Sequence, residues 1–375
     1  MIIGVPKEIK NSEYTVSISP SGVSAFVENG HTVLIEVGAG LGSGFYDEEY
    51  VARGAIITDK ETIYHGSDMI FKVKELLPSE FKYLREGLII MTYFHSNAYR
   101  DETDACLEKK IIGIACEDVQ DKNENYPLLR PMSEIGGKGG FIAACNYSQK
   151  INGGSGKMLA RVTGLKIPHI TILGAGSAGL GAAELAAGFG NKVTVLDVDY
   201  DALNRAKEKL PLNVEFLHSD YETICEVIQY TDVLMNCVSW PKWRTDHIIT
   251  RDMLKLMKKD TIIIDVACDI GGAVETCRAM THNQPVYFEE GILHYCVDNI
   301  PSAYSRTATC SICSATVPYA LDIANKGVYK ALMDDPYLRK GLCFYLGNLT
   351  LEETGLKQGR PYISPEAALG FKFKN

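Results

Sequence analysis

Short apolar runs alternate with amphipathic stretches along the first third of the chain. "MIIGV", "TVLIEV", "SDMIFKVKE", "GLIIMTYFH" and "KIIGIACED" each carry an apolar core of strand length. Between them lie helical patterns. In "SPSGVSAFVENG", Ser19 is a cap, Pro20 suits the first helical position and Gly30 ends the helix. "DEEYVARG", "PSEFKYLREG" and "YRDETDACLEKK" supply further helices. Alternating strands and helices predict a parallel sheet. "PMSEIGGKGGFIAACNYSQKING" reads as a helix leaving that sheet, and "NGGSGK" (152–157) as a loop. A second series follows, with strands in "HITIL", "KVTVLD", "VEFLHS", "DVLMNCV" and "TIIIDVA". From about residue 308 the pattern is helical again and predicts a return to the first domain. The expected fold is α/β, with a discontinuous substrate domain (1–130 and 308–375) around a nucleotide domain (131–307).

Length agrees with that division, since 375 residues exceed one typical core. The net charge of −9 argues against nucleic acid or an anionic membrane as partner. No apolar run approaches the ~20 residues of a membrane helix. The start "MIIGVPKEIK" lacks the basic and apolar regions of a signal peptide, so a cytoplasmic location is expected. The 11 cysteines are scattered, several of them in apolar runs (Cys116, Cys145, Cys237, Cys268). In a reducing compartment they read as small core residues. Cys310 and Cys313 form a C-x-x-C with no second Cys/His pair, so no metal is assigned.

Gly174-Ala175-Gly176-Ser177-Ala178-Gly179 follows a strand and opens a helix, and the next strand ends in Asp197, 18 residues beyond Gly179. This is the context that gives G-x-G-x-x-G its meaning. Gly174 would make the turn, Gly176 would admit a pyrophosphate, and Gly179 would let helix and strand lie close. The helix start at Ser177 would stabilise phosphate charge. Asp197 would bond ribose hydroxyls and repel a 2′-phosphate, favouring NAD over NADP. The alternative is a glycine turn in an α/β fold that binds no nucleotide.

Ligands of such sheets sit beyond the carboxyl ends of the strands. There the sequence offers Lys72 and Lys74, read as sharing one strand face, His95 closing an apolar strand, and Asp269 before a glycine pair. A cleft between the domains would gather lysine, imidazole and carboxylate around a small oxo acid. Each also has a structural reading: an edge-strand face for the lysines, a satisfied strand-end histidine, a turn-forming aspartate.

"VPKEIKNSEY", "GAGLGSGFYDEEYVARGA", "KVKE", "PLLRPMSEIGGKGG", "IDVACDIGGAVE" and "ATVPYALDIANKGVYKAL" resemble alanine dehydrogenases, in order and over nearly the whole chain. The resemblance implies two Rossmann-like, doubly wound domains, NAD in the second, an active site in the cleft between them, and a homo-oligomer, usually a hexamer. It implies oxidative deamination of a small L-amino acid, alanine to pyruvate by default, and the reverse. Carried over, Lys74 binds substrate, His95 is the acid/base and Asp269 the active-site carboxylate. Ser133, Ser219 and Ser239 fall near cofactor contacts, and Asn299 lies by the cleft.

Two departures stand out. Where the family has arginine in "KNxEYRV" to hold the substrate carboxylate, this chain has Thr15. A hydroxyl cannot replace a bidentate guanidinium. Arg161, Lys138, Arg244 and Arg306 are the candidate substitutes. The segment "NCVSWPKWRTDHIITRDMLKLMKK" (236–259) instead resembles carboxyethylornithine synthases, which reductively join pyruvate to an amino acid's amine. An opine-type dehydrogenase is therefore the alternative. A non-catalytic NAD-binding relative is a further one. The related proton-translocating transhydrogenase subunit fits less well, for want of membrane segments.

Overall fold

The computed structural model describes residues 1–240, 244–268 and 272–371. The chain divides into two units, Met1–Pro131 with Ser305–Asn375, and Met132–Tyr304. In chain order the strands are β1 (Ile2–Val5), β2 (Thr32–Glu36), β3 (Ile56–Thr58), β4 (Met69–Phe71), β5 (Ile89–Thr92) and β6 (Ile112–Ala115). Then come β7 (His169–Leu173), β8 (Lys192–Asp197), β9 (Val214–His218), β10 (Val233–Asn236), β11 (Ile262–Asp265), β12 (Val286–Glu289) and β13 (Ile292–Tyr295). The last two are β14 (Leu342–Tyr345) and β15 (Asn348–Leu349).

The sheet of the first unit has the order β15-β14-β6-β5-β4-β1-β2-β3. Strands β1 to β6 pair in parallel. In β4, β5 and β6 every residue is buried, as expected of a parallel sheet covered on both faces. Helix Pro20–Glu28 is capped by Ser19 with Pro20 in its first turn, and Gly30 follows at φ 78°. It packs against helix Ser305–Lys326 so closely that a Cβ on Gly22 would lie 2.4 Å from the Cys313 sulfur. The Thr309 hydroxyl of that returning helix accepts from the Val16 N–H at 3.1 Å. Beyond it, β14 extends the sheet antiparallel to β6.

In the second unit the order is β12-β13-β11-β10-β7-β8-β9. The chain winds outward from β7 through β8 and β9 on one side and through β10, β11 and β13 on the other. The order reverses between β7 and β10, and open α/β sheets bind ligands at the carboxyl ends of such a switch point. The first sheet has the same reversal between β1 and β4.

Several expectations are corrected. The sheets are not wholly parallel, since β12, β14 and β15 run antiparallel to their neighbours. "PSEFKYLREG" is not a helix and forms only a 3-10 turn at Phe81–Tyr83. Its Glu80 side chain is drawn inward to accept from the Leu77 N–H and from Lys72, so the segment runs as a loop. Strand β4 stops at Phe71, and so Lys72 and Lys74 follow the strand and do not share its face. Strand β4 is also internal to the sheet, which removes the edge-strand reading. Cys116 and Cys268 are buried as expected, whereas Cys145 and Cys237 are half-buried and Cys310 is exposed. No described helix is long and apolar enough to cross a membrane.

Helix Arg130–Tyr147 lies against helix Ser177–Gly188, the helix that the glycine loop opens. A Cβ on Gly137 would sit 1.9 Å from the Ala178 carbonyl oxygen. Alanine favours a helix by about 1 kcal/mol over glycine, but a backbone carbonyl cannot yield and overpacking costs about 1–3 kcal/mol. Gly137→Ala is expected to destabilise by ~1–2 kcal/mol in urea unfolding. Gly188→Ala, whose Cβ would meet nothing within 4 Å, should be neutral or slightly stabilising.

Candidate functional site

The residues just after β1 alternate in charge and meet an alternating run just after β4. Glu8 is buried. Its Oε1 accepts the Val73 N–H at 2.6 Å and the Lys74 N–H at 3.3 Å. Its Oε2 lies 3.2 Å from the Lys72 ammonium, which also donates to Glu80 at 2.9 Å. Burial pulls the Lys72 pKa down, but Glu8 and Glu80 outweigh it and the net shift is upward. The Tyr64 hydroxyl donates to the same Glu80 oxygen at 2.7 Å. Lys10 pairs with Glu75 at 2.9 Å. Burial alone would raise Glu75, yet Lys10 holds it below the usual carboxylate range.

Glu13 completes the set. Its Oε1 accepts from the Thr15 N–H at 2.8 Å and the Thr15 hydroxyl at 2.5 Å, while Oε2 lies 3.6 Å from the Lys74 ammonium. The Lys74 carbonyl accepts from the Thr92 hydroxyl at 2.7 Å. The peptide of Lys74 is thus held on its N–H side by Glu8 and on its carbonyl side by the end of β5.

His95 follows β5 in the left-handed region, at φ 49°. That conformation costs of order 1–3 kcal/mol outside glycine and persists where the surroundings enforce it. Here the His95 N–H donates to Glu117 Oε1 at 2.6 Å, with the ring Nδ1 4.0 Å from the same oxygen. The imidazole itself is 43% exposed. Glu117 comes from the turn after β6, and burial, with Asp118 beside it, pushes its carboxyl up to about 8. Lys74, Thr15 and His95 all follow parallel strands of one sheet, so the first unit brings them to one end of it.

The second unit carries the nucleotide candidates. Gly174, after β7, has φ 98°. Gly176 caps helix Ser177–Gly188, and a Cβ built on it would meet no atom within 4 Å. A Cβ on Gly179 would lie 1.8 Å from the Gly174 carbonyl oxygen. The loop is therefore open where a pyrophosphate would approach the helix N-terminus and closed where helix meets strand, which fits a dinucleotide. Asp197, ending β8, accepts the Ala175 N–H at 2.6 Å and the Asp199 N–H at 2.9 Å. Its carboxylate is thereby anchored to the glycine loop.

Ser219 follows β9 and donates its N–H to the Asp197 carbonyl at 2.9 Å, and Ser239 is exposed after β10. Ser177, Asp197, Ser219 and Ser239 so lie at the carboxyl end of the second sheet. Ser133 is on helix Arg130–Tyr147, one residue before Glu134, whose carbonyl lies 2.7 Å from a Cβ built on Gly181. Asn299 is buried, and its carbonyl accepts from His282 at 2.8 Å. Asp269 lies outside the described residues.

Of the four cations considered as substitutes for the missing arginine, three have partners within their own unit and the fourth lies in a groove. Lys138 pairs with Glu134 and Glu184 at 2.7 and 3.0 Å. Arg244 pairs with Asp246 and stacks on Trp240. Arg306 donates to the Gly44 carbonyl at 2.6 Å and lies over the Phe45 ring. Arg161 lines a groove with His169, Lys192 and Val214, at the amino ends of β7 to β9. Residue-by-residue reading missed Glu117, whose only signal is an acid closing the apolar run "IIGIACE". It also left the partners of Glu8 and Glu13 unassigned, because those lie about 60 residues away.

Residues 4–136 match the alanine dehydrogenase/PNT N-terminal domain and residues 140–352 the C-terminal domain. The alanine dehydrogenase of Methanococcus maripaludis is 43% identical over 371 residues, covering 98% of this chain and 100% of that protein. The Bacillus subtilis alanine dehydrogenase is 42% identical, with 98% of each chain covered. A solved L-alanine dehydrogenase superposes with a TM-score of 0.90 at 36% identity, covering 96% of this chain and 99% of that one.

The Glu117 geometry has a consequence in pH. Its carboxyl titrates at about 8 in the folded chain against 4.5 as its ordinary value, so between these limits the folded state binds the extra proton. The contribution to stability is complete below 4.5 and is lost as pH rises towards about 8. Glu117→Gln keeps an acceptor for the His95 N–H and removes the titration. Urea unfolding across this range should give a flatter stability profile, with a gain on the order of 1 kcal/mol or more at the alkaline end. An unchanged slope would mean that the carboxyl is ionised throughout.

Proposed function

The chain belongs to the alanine dehydrogenase/PNT family, and from that premise we infer an NAD-dependent oxidoreductase acting on the CH–NH2 group of a small L-amino acid. The reaction is amino acid + NAD+ + water to 2-oxo acid + ammonium + NADH + H+, with alanine and pyruvate as the default pair. The observation that carries this reading is the placement of a fixed lysine and an exposed, backbone-strained histidine after neighbouring strands of one sheet, in a chain whose family membership spans both units.

Gly174, Gly176, Ser177 and Gly179 would hold the pyrophosphate of NAD and Asp197 its ribose hydroxyls, with Ser133, Ser219 and Ser239 as further polar contacts. When bound, NAD supplies the acceptor for the hydride leaving the substrate's α-carbon. The ammonium of Lys74 holds and polarises the oxygen of the oxo acid. His95 takes a proton from the water that attacks the substrate imine and returns it to the departing amine. Asp269 assists that water and favours the cationic imine. Glu117 acts through His95, holding its backbone so that the ring projects.

Thr15 sets the affinity. A threonine hydroxyl has one proton to donate, and here it goes to Glu13. Without the guanidinium, the site forgoes a charge-assisted bond worth about 1.5–3 kcal/mol, or about 10- to 100-fold in affinity for a small oxo acid. The same buried threonine favours a second reading, in which the vacated space takes a bulkier amine donor and an amino acid replaces ammonia, as in opine formation.

Three measurements test these readings. NADH oxidation is followed with pyruvate plus ammonia, then with pyruvate plus each amino acid. Turnover with ammonia alone supports the first reading, and faster turnover with an amino acid supports the second. His95→Asn tolerates the left-handed backbone but cannot relay protons, and should lower kcat at least ~100-fold while NADH binding by fluorescence is unchanged. Retained turnover would remove His95 from the chemistry. Thr15→Arg should lower the KM for pyruvate by about 10- to 100-fold. Tight pyruvate binding by wild type, lost in the variant, would show that the carboxylate is held by another group.

A further inference from the structure

Three donor side chains from separate segments of the second unit converge below the carboxyl end of its sheet. Asp265 ends β11, Cys277 lies in the loop before β12, and Cys296 follows β13. A carboxylate oxygen of Asp265 and the two sulfurs all lie within 4.8 Å of one another, and the sulfurs are 3.3 Å apart. Asp265 and Cys296 are buried and Cys277 is half-buried. Cys268 packs into the same cluster and donates its S–H to the Cys296 carbonyl.

We propose that Asp265, Cys277 and Cys296 form a three-ligand site for a soft divalent cation of the zinc class. The site belongs to this chain's own cysteine pattern and rests on neither the catalytic reading nor the C-x-x-C at Cys310.

Two physical arguments separate this from plain packing. The first is geometry. Zinc–sulfur bonds of about 2.3 Å put two tetrahedral thiolates about 3.8 Å apart, and the sulfurs here already stand near that spacing. The carboxylate is pre-oriented as a ligand would be, since its Oδ1 accepts from Asn236 Nδ2 at 2.8 Å and from the Cys268 N–H at 2.9 Å. The Tyr287 hydroxyl stands 3.5 Å from the Cys296 sulfur as a further outer partner.

The second argument is charge. Asp265 is buried, and a dication bound beside it offsets its carboxylate.

The test is the metal content of the full chain, purified under reducing conditions without chelator. About one zinc per chain is expected. Cys277→Ser and Asp265→Asn should lose most of it, while Cys310→Ser, at an exposed position, should keep it. Should the first two variants fail to fold, cobalt(II) titration of reduced, metal-depleted wild type provides the second readout. Saturable uptake with a thiolate-to-cobalt charge-transfer band supports the site. A wild type that neither carries zinc nor shows that band overturns the proposal, and so does full zinc content in Cys277→Ser.

Discussion

A lysine ammonium buried between two carboxylates holds together the carboxyl end of the first sheet. Lys72 is fully enclosed between Glu8 and Glu80. Ions in such a place are expensive to desolvate, and removing one partner typically costs about 3–5 kcal/mol because a charge is left stranded. The arrangement is kept here at the switch point between β1 and β4, just where the chain leaves both strands. Glu8 uses its second oxygen to take two peptide N–H groups, so the ion pair is also a backbone clamp. The next residue but one after Lys72 is Lys74, and its ammonium emerges from a peptide that cannot shift.

The same logic governs the other groups at that end. Glu13 ties a threonine hydroxyl and a lysine to one carboxylate. Glu117 grips the backbone of His95 and leaves the imidazole exposed. In each case a buried acid spends its hydrogen bonds on main chain or a neighbouring side chain. Precision at this end thus derives from carboxylates that fix the backbone.

Local features were legible in the sequence. The turn at Gly174, the helix at Ser177 and the strand ending in Asp197 are contiguous, and steric rules for glycine determine their geometry. The cap at Ser19 and the buried strands of the first sheet are local in the same sense. What was not legible joins distant positions. Glu8 meets Lys72 and Glu117 meets His95 across intervening strands. The positive φ of His95 has no sequence marker. "PSEFKYLREG" has helical periodicity, but Glu80 turns inward to Lys72, Tyr64 and the Leu77 N–H, partners that its periodicity does not reveal. The direction in which β12 and β14 pair is set by distant neighbours, and β15, with two residues, is too short to announce itself. Asp265, Cys277 and Cys296 meet at spacings that match no metal motif.

The return of the chain to its first unit sets a timetable for synthesis. Strand β6 has its outer edge covered by β14, and β6 ends at Ala115 while β14 begins only at Leu342, a stretch that a ribosome adds at about 5–20 residues per second. For some tens of seconds the nascent first sheet therefore carries a bare strand edge of alternating Ile and small residues, while the second unit emerges and can already close around its own strands. An open edge of that kind is a template for pairing with other chains. The interval before β14 arrives is when this protein is most exposed to misassociation, and a chaperone that shields β6 would act there.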